Sequence, residues 1–374
     1  MIKKLNTFNT NKKNVFLEMK NFNNKMEYNI IGMMSGTSCD GVDLVLVKYL
    51  KNNNWQFDVL KTQTFAYSHE WKNLLNNAFY LKGEEIINLN FRYSHYLSDL
   101  IREFLSTINA NVDFISMHGH TIWHNPAAGY TYQLGHGGVI ASDTSIPVIC
   151  DFRSQDVGLG GEGAPLVPIG EKYLFTDYSV FLNLGGFSNA TIIENREIIS
   201  AFDICPVNII LNYVTQKINL SYDNNGELAR NGLIVDGLLT NLLKINDTFD
   251  NHSLCREIVE KEFIPIIDKY ADQFTINDLL RTIVEYVSIT ISNKLPQNGR
   301  VLASGGGAHN KFLIERLINL YDGQIIIPNK EIIDYKEAII FAFLGLLRWI
   351  GLPNTSTKVT HSAKESCSGA IYLP

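Results

Sequence analysis

The chain has 374 residues, 45% of them apolar, and a formal net charge of −6. That length suits two domains with a substantial core, and the acidic balance, with no dense Lys/Arg cluster after residue 25, argues against a nucleic-acid surface. The longest apolar run, residues 338–347, is about half a membrane span. Five cysteines without CxxC spacing, and no secretory signal, point to a reducing compartment.

Residues 1–27 are rich in Asn and Lys and have only short apolar patches. They read as a disordered leader, or as an over-long start with Met26 as the true beginning. A transit peptide would carry more Arg and Ser. Residues 28–49, YNIIGMMSGTSCDGVDLVLVKY, predict strand, tight loop, strand. Gly36 and Gly41 allow the backbone to crowd against a ligand. Thr37 and Ser38 bring hydroxyls, and Asp40 and Asp43 bring the only charges near the tip. The stretch suits a phosphate cradle with a carboxylate for a metal ion. It suits an ordinary hairpin turn equally well.

Further along, a strand is expected over 55–63 and an amphipathic helix over 86–105. A buried strand at 113–117 runs into HGHTIWHNP. Strand 130–134, helix 138–144 and buried strand 146–152 follow. Residues 151–168, DFRSQDVGLGGEGAPLVP, read as one long loop of a kind that is functional or mobile. Gly158, Gly160 and Gly163 match GxGxxG, but Pro165 and Pro168 stand where a dinucleotide fingerprint would open a helix, so that reading is rejected. Strand 180–184, GGFSN and strand 191–193 make a second hairpin, with Gly185, Gly186, Ser188 and Asn189 at its tip.

Residues 197–202 lead to Asp203, placed at a strand end before a helix from 207. A carboxylate there either caps the helix or serves as a base. Residues 233–293 are mostly helical. Strand 301–304 ends in GGGAHN, and a helix covers 311–320. Strand, three glycines, helix lets backbone and helix N-terminus approach phosphate or adenosine. After a strand at 324–327, Glu337 begins a helix apolar on almost every face. No GxxxxGK[ST] occurs, which excludes a P-loop ATPase.

Two hairpin tips and one glycine turn, spread along an α/β chain, are what a nucleotide held between two domains needs. The two-domain, ribonuclease H-like superfold of actin, heat-shock chaperone ATPases and sugar kinases, with its interdomain cleft, has that form. Domain I is expected over 28–155 with about 350–374, and domain II over 156–349. The motifs MSGTSCDGVD (34–43), HGHT (118–121), DFRSQDVGLGGEGAPLVP (151–168), LNLGGFSN (182–189), FDICPVN (202–208), SGGGAHN (304–310) and EAIIFAFLG (337–345) resemble the anhydro-N-acetylmuramic acid kinase family, in the family's order.

The resemblance implies a cytoplasmic enzyme of cell-wall recycling. It would convert ATP, water and 1,6-anhydro-N-acetylmuramic acid to N-acetylmuramate 6-phosphate and ADP. It also implies Mg²⁺, a homodimer, and no nucleic-acid or membrane partner. Asp203 falls on the family's base and Glu337 on its second acidic residue near the sugar; alone, Glu337 could equally be a first-turn helix carboxylate. The residues Gly36, Thr37, Ser38, Cys39, Asp40, Gly41, Val42 and Asp43 are assigned to the phosphates, with Asp40 toward the metal. Gly185, Gly186 and Asn189, then Gly305, Gly306, Gly307 and Asn310, complete the ATP contacts. His118, Arg153 and Asp156 are assigned to the sugar. A guanidinium suits the substrate's lactyl carboxylate, though Arg153 could instead pair with Asp151 or Asp156, and His118 could be structural.

Several positions depart from the family's pattern. Cys39 stands for Leu and His120 for Gln. Ser154 and Gln155 replace two arginines, Glu162 replaces Gln, and Cys205 and Val207 replace glycines. The local field becomes more negative where an acidic sugar would sit. A sugar-responsive ATP-binding regulator with weak turnover is the second reading, and a filament-forming or chaperone-type ATPase the third.

Overall fold

The computed structural model describes residues 25–36, 39–249 and 254–374. The chain divides into two compact units, residues 1–174 with 337–374, and residues 175–336.

In the first unit, β1 (Glu27–Met34), β2 (Gly41–Lys51) and β3 (Trp55–Ala66) form an antiparallel meander. β4 (Phe114–Met117) runs parallel to β1. Past a separate hairpin of β5 (His120–Asn125) and β6 (Tyr130–Leu134), β7 (Val148–Cys150) runs parallel to β4. The sheet order is β3-β2-β1-β4-β7, extended by the C-terminal strand Ala370–Tyr372 antiparallel to β7. Alternate residues face opposite sides of a strand, and here both sides are covered. Ile31 and Met33 pack with Leu89, Tyr93 and Leu97 of the helix Glu84–Leu105. On the other side Gly32 lies against the helix Lys330–Trp349: a Cβ there would collide with the Ala338 carbonyl and come within 2.9 Å of Ala342 Cβ. That helix is all but fully buried from Ala338 to Leu347, which explains why its sequence is apolar all round.

The second unit repeats the plan. β8 (Val180–Leu184), β9 (Phe187–Glu194) and β10 (Glu197–Pro206) form the meander, and β11 (Arg300–Ser304) and β12 (Gln324–Ile326) run parallel to β8, in the order β10-β9-β8-β11-β12. Both sheets thus read third, second, first, fourth, fifth strand, the ribonuclease H-like order expected of the superfold. Leu182 and Leu184 pack with Val284 and Val287 of the helix Ile276–Lys294 and with Leu313 and Leu317 of the helix Lys311–Leu320.

The unit boundaries lie after Leu174 and before Glu337, not at 155/156 and near 350. The reason is local. The glycine-rich stretch is tied to the C-terminal segment, where Glu162 N–H donates to Thr360 O at 2.7 Å, and the apolar helix packs on the first sheet. The stretch 151–168 is also not one loop, because helices Ser154–Gly158 and Val167–Leu174 occupy both ends. Residues 1–24, most of the expected leader, lie outside the described residues, but Glu27 already pairs in β1.

Candidate active site

The first hairpin forms as expected, with Met34 opposite Asp43. Gly36 and Cys39 flank its tip, where Cys39 N–H donates to Gly36 O at 3.2 Å; Thr37 and Ser38 lie outside the described residues. Val42 is buried in the core, and the lack of a Cβ at Gly41 is explained by β3, since one there would lie 2.5 Å from the Phe65 carbonyl oxygen. Asp43 accepts from Thr64 Oγ1 at 2.6 Å across the ladder. Asp40 is exposed, and its carboxylate has no protein partner among the described residues.

His118 and Arg153 meet. Arg153 Nε and Nη2 donate to His118 Nε2 at 2.9 and 2.8 Å, and Nη1 donates to Gly163 O at 2.6 Å. The other ring nitrogen of His118 lies 2.8 Å from Gly119 O, so Nδ1 carries the proton. Burial and the Arg153 charge hold His118 well below its ordinary pKa. Burial lowers Arg153 to about 10, opposed by the nearby carboxylates of Glu337 and Asp156. Arg153 therefore pairs with His118 rather than with Asp151, and keeps one N–H on each terminal nitrogen for a further acceptor. Asp156 is structural as well as near: its oxygens accept from Gly163 N–H and Thr360 Oγ1, both at 2.8 Å, and it is fully buried. Glu337 does not open a helix. Its helix begins at Lys330, so the first-turn dipole reading fails.

Asp203 lies inside β10, opposite Asn189, beside a bulge between Asp203 and Cys205. It does not cap the next helix, Asn208–Gln216, whose N-cap is Val207. Asp203 Oδ2 instead accepts from Leu254 N–H at 2.9 Å. Oδ1 has no protein partner among the described residues. Burial raises its pKa, opposed by the Leu254 hydrogen bond. No sequence signal marks Leu254.

The second hairpin and the glycine turn come together. The second tip is only Gly185 and Gly186, because Ser188 and Asn189 already belong to β9. Asn208 Nδ2 donates to Leu184 O and Gly185 O at 3.0 and 2.7 Å, and Val207 N–H donates to Gly186 O at 2.8 Å. Gly305, at φ 82°, abuts Asn183, and a Cβ on Gly307 would lie 2.8 Å from Leu184 Cβ. These two glycines are required by packing on β8. Gly306 is the open one, with only Asn208 Nδ2 near, at 3.8 Å. Asn310 caps the following helix, accepting from Leu313 N–H at 3.0 Å.

The sequence model of the family described as anhydro-N-acetylmuramic acid kinase matches residues 28–374. The chain belongs to the anhydro-N-acetylmuramic acid kinase family. A curated member from Aliivibrio fischeri is 33% identical over 91% of this chain and 98% of its own length. One from Bacillus cereus strain AH820 is 33% identical over 92% and 99%. Among solved structures, a ligand-bound xylulose kinase from Lactobacillus acidophilus is similar at 12% identity and a TM-score of 0.45, covering 93% of this chain and 94% of that one.

Of the departures from the anhydro-N-acetylmuramic acid kinase pattern, two lie in the second unit's core and three are exposed. Cys205 and Val207 are fully buried in the second unit's core, and Cys205 Sγ lies 3.3 Å from Ser188 Oγ. Ser154, Gln155 and Glu162 are exposed; Ser154 Oγ donates to Asp151 at 2.5 Å, and Glu162 lies 3.0 Å from His361 Nδ1. No helix among the described residues is long and apolar enough to cross a membrane. A cavity of about 440 Å³ in the second unit, lined by Arg230, Arg281, Arg316 and Phe312 among others, contains none of the expected site residues.

Proposed function

We propose that this kinase opens 1,6-anhydro-N-acetylmuramic acid with water and phosphorylates O6 from ATP, with Asp203 as the base. The observation that carries the assignment is the state of that carboxylate. One oxygen is fixed by Leu254 N–H, the other is unpartnered among the described residues, and burial raises its proton affinity. A base poised in this way can take a proton from water as the water attacks C1. The C1–O6 bond breaks, and its electron pair stays on O6. The freed O6 attacks the γ-phosphorus and ADP leaves.

His118, Arg153 and Glu337 are assigned to the sugar side. Arg153's two remaining N–H groups suit the lactyl carboxylate, while neutral His118 fixes the guanidinium plane. Asp156 supports them through Gly163 rather than by contact. The glycine turns are assigned to ATP, with Gly306 as the position left open for it.

Among the described residues no group of three metal-ligating side chains could hold a metal by itself. Mg²⁺ in kinases keeps waters and takes one or two carboxylates beside substrate phosphates, so exposed Asp40 fits as the protein ligand. When bound, the ion neutralises charge on the β- and γ-phosphate oxygens. The proposal includes a homodimer and a cytoplasmic location, which sedimentation and fractionation test.

The direct test is ADP release with and without the anhydro sugar, with products weighed after reaction in heavy-oxygen water. Sugar-dependent ADP and label at the anomeric hydroxyl are expected. ADP release indifferent to sugar would overturn the reading.

A further inference from the structure

Two residues that depart from the family pattern, Cys39 and His120, are 81 positions apart in sequence and touch. His120 Nε2 lies 3.8 Å from Cys39 Sγ. Its Nδ1 lies 2.9 Å from Ser35 Oγ. Ser35 and Cys39 stand on either side of the first hairpin's tip, so one imidazole reaches both ends of it.

We infer that His120 is a positioning residue that joins Ser35 to Cys39, described residues on either side of the hairpin tip assigned to the phosphates. The inference rests on the assignment of the hairpin to ATP.

The hydrogen-bond arithmetic supports a rigid staple. Ser35 Oγ, Tyr67 OH and Tyr93 OH form a closed triangle of contacts at 2.7, 2.6 and 3.1 Å. With the two His120 contacts, the cluster has five contacts. Three hydroxyls, one thiol and one ring N–H supply one proton for each. The count closes in one way: the hydroxyls donate around the ring, Nδ1–H donates to Ser35, and the Cys39 thiol donates to Nε2. The other tautomer gives the Cys39 contact to Nε2–H and leaves three hydroxyl protons for the four remaining contacts, one too few. An imidazolium would bring one proton too many.

The surroundings agree. His120 is 3% exposed and Tyr93 fully buried, and burial pushes His120 down to about 4. Cys39 has a φ of 55°, a region costly for a residue with a Cβ. Something must hold it there, and the His120 contact is the side-chain bond that does so among the described residues.

The test compares the full chain with His120→Ala and His120→Gln, in a background where Cys255 and Cys367, which are not buried, are serine. Steady-state constants for ATP and for sugar are measured separately. Iodoacetamide labelling of Cys39 is followed by mass spectrometry with and without ATP. Loss of two neutral hydrogen bonds should raise KM for ATP about tenfold in His120→Ala and speed Cys39 labelling at least as much, with KM for sugar within about twofold. His120→Gln, with one amide donor and one acceptor, should recover KM for ATP to within about threefold. Should His120→Ala fail to fold, Cys39→Ala removes one end of the staple; it has no thiol to label, so its KM for ATP against its KM for sugar is the readout.

An equal rise in both KM values, or folded His120→Ala with unchanged KM for ATP and unchanged labelling, overturns the inference. Failure of the kinase reading looks different: wild type releases no sugar-dependent ADP. Faster Cys39 labelling in His120→Ala would then still support the staple, while labelling that ATP does not slow in wild type would remove the hairpin from ATP.

Discussion

Replacing Asp203 by Asn tests the base with little disturbance. The Asn carbonyl oxygen can still accept the Leu254 N–H that Oδ2 now takes at 2.9 Å. The amide then occupies the place of Oδ1. An amide donates there and cannot take a proton, so the chemical step alone is damaged. A positioned general base contributes about 10²–10⁴-fold, which is about 2.7–5.4 kcal/mol of barrier. Turnover should fall by that factor, with KM for both substrates changed little. The stability effect has the opposite sign. Burial raises the folded-state pKa of Asp203, so the group stabilises the fold only while protonated, and that contribution is lost as pH rises through the folded value. At neutral pH the Asn variant should therefore melt no lower than wild type, and higher if the anchor persists. In wild type the acid limb of kcat/KM should sit above the ordinary carboxylate range, because the active form is lost as pH falls through the raised pKa. Coupled ADP-release kinetics and thermal melts measure both. A variant with more than about a tenth of wild-type turnover would remove Asp203 from the role.

Other outcomes are as specific. Arg153→Met removes the cation that, after burial, holds His118 down, so the His118 pKa should rise toward its ordinary value by NMR titration while KM for sugar rises more than KM for ATP. Gly305→Ala should cost about 2–4 kcal/mol, combining left-handed strain with overpacking against Asn183, and lower the melting temperature. Gly306→Ala, with open space around it, should cost under about 1 kcal/mol and act on KM for ATP instead; unchanged KM would remove Gly306 from the ATP contacts. Chelating Mg²⁺ should abolish turnover, and leave melting without ATP unchanged, because among the described residues no cage of metal-ligating side chains exists.

Much of the fold was legible because apolar runs of strand length and glycine turns are local signals. The helix around residues 338–347 could be placed as buried because no face was polar. Its start was not legible: Lys330 to Tyr335 are polar enough to pass for a loop, so Glu337 looked like a first-turn residue. β10 was cut short at Asp203 because a bulge breaks the alternation there. The site was legible as residue types and not as partnerships. The sequence offers Arg153 a sugar carboxylate or a nearby aspartate, and its side-chain acceptor within the protein is an imidazole 35 positions away. All three glycines at 305–307 read as ligand positions, and the end of β8 gives two of them, Gly305 and Gly307, a packing reason of their own. Leu254 and Thr360 carry no distinguishing signal, because one acts through its backbone and the other through a common hydroxyl.

Asp156 has a practical consequence for anyone preparing this protein. Its carboxylate joins Gly163 N–H to the Thr360 hydroxyl, and the same glycine's carbonyl takes an Arg153 N–H. The last fifteen residues are thus wired to the Arg153 guanidinium through Gly163. Trimming the C-terminus ahead of Thr360, which lies outside every motif, would release Asp156 and slacken the grip on Arg153.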